Sequence, residues 1–327
     1  MSEKQFPKLI SVKPPLLPKE VQASACGKAI IVGEHAVVYG THAIAMPLRS
    51  MRFQFALTPI PHVEGKPVQL HLKLAGHDVS PRVQSVVLEA MELLGHQAFS
   101  IQAKSSSALP IGAGLGSSAT LCVAVLRALS TSLDIVLGKS DLARLANELE
   151  KRFHGNPSGL DAAVVAFEQC ILFAKHQTIR GITIEHSELP RWEFALIDSN
   201  VRASTMAMIR IAEPYFLGVQ GDRRLQQFDA LALSVHEALQ SGDTTTVGRA
   251  MTECGSWLRE AGVVPDNLQA MIDQTRELGV LGAKTTGAGG GGVILALLDP
   301  READAQYQAI KACFRNYPVY RASLEAE

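Results

Sequence analysis

Gly112, Gly114 and Gly116 stand directly before Ser117 and Ser118 in the run 110-PIGAGLGSSAT-120. Glycine lets a backbone approach a ligand closely and take positive φ. A helix that starts at this point adds unpaired N–H groups and the positive end of its dipole. Together these features suit a phosphate. The two serines could cap that helix or ligate a metal, and for the glycine spacing alone a turn with a serine cap is the simpler reading. A second loop, Gly287-Ala288-Gly289-Gly290-Gly291-Gly292, has four consecutive glycines between strand-like segments. Such a run costs backbone entropy with no packing in return, which points to close approach of a ligand or another backbone.

The charged candidates are fewer. Lys28 and the Glu34-His35 pair lie in 25-ACGKAIIVGEHAVVYG-40. A lone lysine is ordinarily a solvated surface residue. Glu150 sits about 80° from the centre of its helix's apolar stripe at 100° per residue, at the border of the buried face. By itself it reads as half of a weak surface salt bridge. Asp161 follows the turn-forming run HGNPSG, where a carboxylate suits a helix N-terminus. Other chemistries are excluded by pattern. GxxxxGK[ST] fails at Gly138-Lys139-Ser140 because Leu133 holds the first glycine position, and GxGxxG fails at Ser117. HRD, DFG, HExxH and GxSxG do not occur.

The elements that position these residues follow from periodicity. From Ala23 to Leu48 apolar runs alternate with Gly and His, which predicts short strands and a tight connection. Met51, Phe53, Phe55 and Leu57, then Leu70, Leu72 and Leu74, keep the strand period. Helices are predicted over about 83–94, after Ser118 as a segment apolar on nearly every side, and over about 141–153 with the stripe Leu142, Leu145, Ala146, Leu149 and Phe153. Beyond residue 190 come a strand (FALID), three or four amphipathic helices to about 278, a strand–glycine loop–strand unit over 282–298, a helix over about 301–314 and a closing strand. Strands and helices mix without βαβ alternation, so the class is α+β with layered sheets. Residues 1–20 read as a loose leader ending at Pro14, Pro15 and Pro18.

Composition bounds the rest. With 47% hydrophobic and 19% charged residues, the 327-residue chain is globular and long enough for about two domains. A net charge of -1 gives no basic field to gather nucleic acid. Five cysteines without a CxxC pair read as free thiols in a reducing compartment, hence a cytoplasmic protein with no membrane segment.

Four motifs in order carry a resemblance. Ala25-Cys26-Gly27-Lys28 with Gly33 to Gly40, Pro110 to Ala119, His154 to Asp161, and Lys284 to Gly292 resemble the signature segments of the GHMP family of small-molecule kinases. GEHAVVYG and HGNPSGLD are most similar to the members acting on mevalonate. The resemblance implies an α+β, two-domain fold, with an N-terminal domain over 1–190, a ferredoxin-like C-terminal domain over 191–327 and the site in the cleft between them. It implies ATP and Mg2+ as cofactors. Pro110, Gly112, Ala113, Gly114, Leu115, Gly116, Ser117 and Ser118 would wrap the ATP phosphates, and Ser118 and Glu150 would hold Mg2+. Asp161 would be the base or orienting anion for the substrate hydroxyl, with Lys28 beside it. Glu34, His35, Thr205 and Gly289 would lie near the substrate. The segment from Ser199 to Thr205 resembles a TKVxRxT stretch. Aligned on Thr205, the arginine position falls on Ala203, so Arg202, one residue early, is the candidate for the substrate carboxylate. The family's usual Pro before Gly27 is Cys26 here, which relaxes the turn expected there. Many members are homodimers, and some are inhibited by prenyl diphosphates. The alternatives are a GHMP kinase of phosphomevalonate or a sugar, and a non-catalytic nucleotide sensor of the same fold.

Overall fold

The computed structural model describes residues 20–60, 68–74, 76–96, 99–182 and 192–324. Apart from Glu20, the expected leader lies outside the described residues, as does the domain boundary expected at 190. The N-terminal half runs β1 (Val21–Val32), β2 (Ala43–Pro59), β3 (Leu70–Leu74), β4 (His77–Asp78), α1 (Pro81–Leu93), β5 (Ile101–Ser107), α2 (Ser117–Ser132), α3 (Lys139–His154), α4 (Leu160–Phe167), β6 (Ile171–Phe173) and β7 (Arg180–Gly181). The C-terminal half runs β8 (Trp192–Asp198), α5 (Thr205–Ala212), α6 (Gly218–Ser241), α7 (Thr244–Glu260), α8 (Asp266–Glu277), β9 (Gly282–Thr286), β10 (Val293–Leu297), α9 (Ala303–Cys313) and β11 (Val319–Leu324).

Two sheets result. In the first, the order is β4-β3-β5-β2-β6-β7, with β1 also pairing to β2, and β3–β5 is its parallel pair. In the second, the order β11-β8-β10-β9 is antiparallel throughout. The class is α+β, as the motif resemblance implied. Where short strands were expected up to Leu48, β1 and β2 form one long hairpin that continues through the Met51–Leu57 stretch. In that stretch residues 51, 53, 55 and 57 are buried while their neighbours are partly or fully exposed. β1 loses this alternation after Ser24, because its second half is covered on both faces. No turn occurs at Cys26. The chain there is strand with a register shift between Cys26 and Gly27, and a side chain at Gly27 would run into Leu109 and Leu115.

α2 is buried on nearly every side and packs on β1, β2, α3 and α4, which is why its sequence shows no polar face. α3 turns Leu142, Leu145, Ala146 and Leu149 inward. In the C-terminal half, β8, β9 and β10 are buried along their whole length. α6 and α7 reach across to β1, and β9 packs against β1 directly. The two sheets therefore meet at β1, the strand that carries Lys28, and again where β11 packs on β2. Among the described residues no helix is long and apolar enough to cross a membrane, and all five cysteines are free.

Candidate active site

The phosphate-type loop forms as a chain of left-handed glycines. Gly112, Gly114 and Gly116 have φ of 71°, 84° and 74°. Gly116 is the N-cap of α2, and no side chain caps the helix. The serine-cap reading is thereby overturned. A Cβ at Gly116 would sit 2.8 Å from Lys28 Cγ, so glycine here makes room for the lysine stem as well as meeting the positive φ. Among the described residues no side chain caps the first N–H groups of α2, which leaves them to meet an anion.

Lys28 is 2% exposed, not solvated. β1 holds it by its backbone, where its N–H donates to Leu115 O at 3.0 Å. Its Nζ donates to Gly114 O at 3.1 Å and lies 3.1 Å from Asp161 Oδ2. Asp161 is in the first turn of α4, behind the N-cap Gly159, and its side chain is 31% exposed. One buried ammonium thus touches the glycine loop and a carboxylate that opens to solvent.

Glu150 is 1% exposed, so the surface salt bridge does not form. Among the described residues no lysine or arginine is bonded to it. Ser118 Oγ donates to Glu150 Oε1 at 2.9 Å and lies 2.9 Å from His154 Nε2. Burial, and next the charge of Asp161, push the Glu150 carboxyl up to about 8, against the pull of Ser118 and Lys28. His154, one helical turn after Glu150, is lowered by burial against the opposing pull of Asp161. Carboxylate and hydroxyl oxygens are the donors a hard cation takes. Mg2+ is commonly held by one or two carboxylates plus substrate phosphates, so it needs no cage of three or more acidic, His or Cys side chains. No such cage occurs among the described residues.

The second glycine loop closes on the first. Its Gly287 approaches Gly114 so tightly that a Cβ on Gly287 would lie 2.9 Å from Gly114 Cα. Gly290 N–H donates to Val263 O at 2.7 Å and Gly292 N–H to Val201 O at 2.8 Å. Gly289, with φ of 82°, packs on Val263. His35 also fastens this loop, and Glu34 fastens β9, the strand that leads into it. Glu34 forms an ion pair with Lys284, which is 0% exposed and also donates to Thr285 O at 2.8 Å. His35 Nε2 is 2.9 Å from Ala288 O, and Thr286 Oγ1 accepts from Ile30 N–H at 2.8 Å.

Arg202 lies at the rim. Its Nη1 and Nη2 donate to the two Asp198 oxygens at 2.7 Å each, and its Nε donates to Ile111 O at 3.0 Å. Thr205 opens α5 and is half-buried. The structure thus gathers Lys28, Ser118, Glu150 and Asp161 around the 110–118 loop. It sets Glu34 against Lys284 of β9, His35 against the second loop and Arg202 against Asp198. Sequence reasoning missed three neighbours: His154, Lys284 and Asp198. Each had a signal, since His154 and Lys284 begin two of the motifs and Asp198 ends the apolar run FALID.

Profiles of protein families decide the kinship. "GHMP kinases N terminal domain" matches residues 82–169 and "GHMP kinases C terminal" matches residues 235–316. The chain belongs to the GHMP kinase family. The mevalonate kinase of Archaeoglobus fulgidus is 31% identical over 84% of the chain and 91% of that protein. That of Pyrococcus abyssi is 27% identical over 94% and 97%. Among solved structures, L. major mevalonate kinase in complex with R-mevalonate superposes with a TM-score of 0.79 at 23% identity, covering 96% of this chain and 99% of that one. Streptococcus pneumoniae phosphomevalonate kinase with phosphomevalonate and AMPPNP gives 0.78 at 17%, covering 93% and 100%. At these identities the superpositions speak for the fold. The protein is an ATP-dependent GHMP kinase.

Proposed function

We propose that this GHMP kinase transfers the γ-phosphoryl group of ATP to the 5-hydroxyl of (R)-mevalonate, giving ADP and 5-phosphomevalonate. One observation carries the reading: Lys28 Nζ lies 3.1 Å from both Gly114 O and Asp161 Oδ2. The loop that would hold the triphosphate and the carboxylate that would meet the acceptor therefore share one cation. The substrate class rests on the mevalonate kinases among the relatives.

Phosphoryl transfer asks a protein chiefly for positioning and charge stabilisation. The free N–H groups of α2 and the loop backbone receive the phosphates. Asp161 accepts a hydrogen bond from the acceptor hydroxyl and takes its proton as the new O–P bond forms and the bond to the β,γ-bridging oxygen breaks. Lys28 pairs with Asp161 and faces the charge on the phosphoryl oxygens. Ser118 and Glu150 would hold Mg2+, which supplies charge neutralisation at the phosphates. The fit is in the donor set, a buried carboxylate that bonds no lysine or arginine among the described residues, beside a hydroxyl. Arg202 faces the substrate carboxylate in this scheme. Its fork is shared with Asp198, Val201 and Ile111, which leaves one Nη2 hydrogen and part of its charge. Glu34 and His35 act from behind, through the second glycine loop. We place the domain boundary near residue 190, between the strands of the two sheets.

The test is ADP release with (R)-mevalonate, phosphomevalonate and a panel of sugars. Turnover with mevalonate at least a hundredfold above the others is expected, and a preference for another alcohol overturns the substrate. Asp161→Asn is expected to abolish turnover while ATP binding persists. Activity above a tenth of wild type would remove Asp161 from its role.

A further inference from the structure

His154 is the feature the scheme above leaves unused. It closes α3, four residues after Glu150, so both side chains project from one helix face toward Ser118. Ser118 Oγ stands between them, 2.9 Å from Glu150 Oε1 and 2.9 Å from His154 Nε2. A serine hydroxyl has one hydrogen and two lone pairs, so it donates to one of these neighbours and not to both. In the arrangement seen here the hydrogen goes to Glu150, and His154 Nε2 is left to donate to the serine oxygen. A cation on Glu150 and Ser118 reverses the preference. The carboxylate lone pairs are then turned to the cation, and a hydroxyl hydrogen still aimed at Glu150 would lie beside positive charge. The hydrogen needs another acceptor, and among the described residues His154 Nε2 is the one within reach.

We propose that His154 is a positioning residue for the metal site: it accepts the Ser118 hydroxyl hydrogen and so directs the serine oxygen's lone pairs at the cation. In that state the imidazole carries its own hydrogen on Nδ1, the opposite tautomer from the one that donates to Ser118. Residues that orient a metal's ligands are commonly worth 10- to 100-fold in affinity. The inference rests on the reading that Ser118 and Glu150 hold the metal.

The experiment measures Mn2+–ADP binding by the loss of the free Mn2+ resonance signal, and separately the binding of metal-free ADP. His154→Phe is expected to weaken Mn2+–ADP about tenfold and to leave metal-free ADP within twofold. His154→Gln, whose amide oxygen can accept the hydrogen, should regain most of the loss. Nitrogen-15 shifts of the wild-type imidazole should report hydrogen on Nδ1 with Mg2+–ADP bound. Wild-type Mn2+ affinity in His154→Phe, an equal loss in both variants, or hydrogen on Nε2 in the loaded protein overturns the proposal. Glu150→Gln separates the two levels. If it leaves Mn2+ affinity unchanged, the metal site itself is misplaced and the inference falls with it. If it lowers affinity while His154→Phe does not, the role of His154 alone is refuted.

Discussion

Two buried glutamates, Glu34 and Glu150, are each 1% exposed, yet their surroundings differ in kind. Glu34 faces the Lys284 ammonium, and the Cys254 thiol sits beside it. The lysine's other hydrogens go to Ile30 O and Thr285 O. That charge is neutralised within the fold and ties the segment just after β1 to β9. Glu150 meets a hydroxyl, with an imidazole one step further, and no lysine or arginine among the described residues. Its burial, with the charge of Asp161, outweighs the pull of the Ser118 hydroxyl and of the more distant Lys28, which raises its proton affinity and leaves it ready to meet a cation from outside. A closed ion pair holds two parts of a protein together, whereas a buried carboxylate short of a cation marks a place where something binds.

The sharpest way to break this contrast is to neutralise each glutamate in turn. Glu34→Gln leaves the Lys284 ammonium buried without its partner, a loss of about 3–5 kcal/mol where buried pairs are broken. Urea unfolding is expected to show it, with Glu34→Leu/Lys284→Met recovering most of the stability. If the single variant unfolds like wild type, the pair is no latch. Glu150→Gln is expected to act on turnover instead, lowering kcat at saturating Mg2+–ATP by about a hundredfold, the scale of about 2.7 kcal/mol. Wild-type kcat in that variant would erase the difference between the two sites.

A subtler effect concerns pH. In the metal-free protein Glu150 binds its proton up to about 8, while in the unfolded chain it releases it near 4.5. Between those values the native state holds the extra proton, so this group's contribution is fully present below about 4.5 and is lost as pH rises through about 8. At about 1.4 kcal/mol per pKa unit the upper bound is about 5 kcal/mol, and water entering the site reduces it. Glu150→Gln should therefore raise the melting temperature of the metal-free protein at pH 8.5 and leave it unchanged at pH 4.5. A shift of equal size at both would place its cause outside the carboxylate's charge. The smallest effect expected is at the rim. Arg202→Lys should raise the KM for mevalonate about fivefold to tenfold with kcat within twofold, since it removes a forked donor and keeps the charge. An unchanged KM would show that Arg202 serves Asp198, Val201 and Ile111 alone.

Much of the fold could be read in one dimension because its signals are local. The stripe of α3, the alternation from Met51 to Leu57 and the strand–glycines–strand unit over 282–298 each encode a period within a few residues. The length of the β1–β2 hairpin was not readable in that way, because burial of β1 on both faces erases alternation after Ser24. The same limit applied to Lys28 and Glu150. Considered singly, a lysine and a glutamate belong at the surface, and the partners that overturn that expectation lie far along the chain. Asp161 is far from Lys28 in sequence, and Lys284 is 250 residues from Glu34.

The chain's own order of residues was enough to set the class of fold, the two glycine loops and the family motifs, because these depend on short-range backbone freedom and hydrophobic period. It could not say which charges would be neutralised. Glu34 and Glu150 became a latch and an open binding group only when β9 closed on β1 and α3 brought His154 beside Ser118. The fate of a buried charge depends on what lies within about 4 Å of it in space, and neighbours of that kind are set by folding.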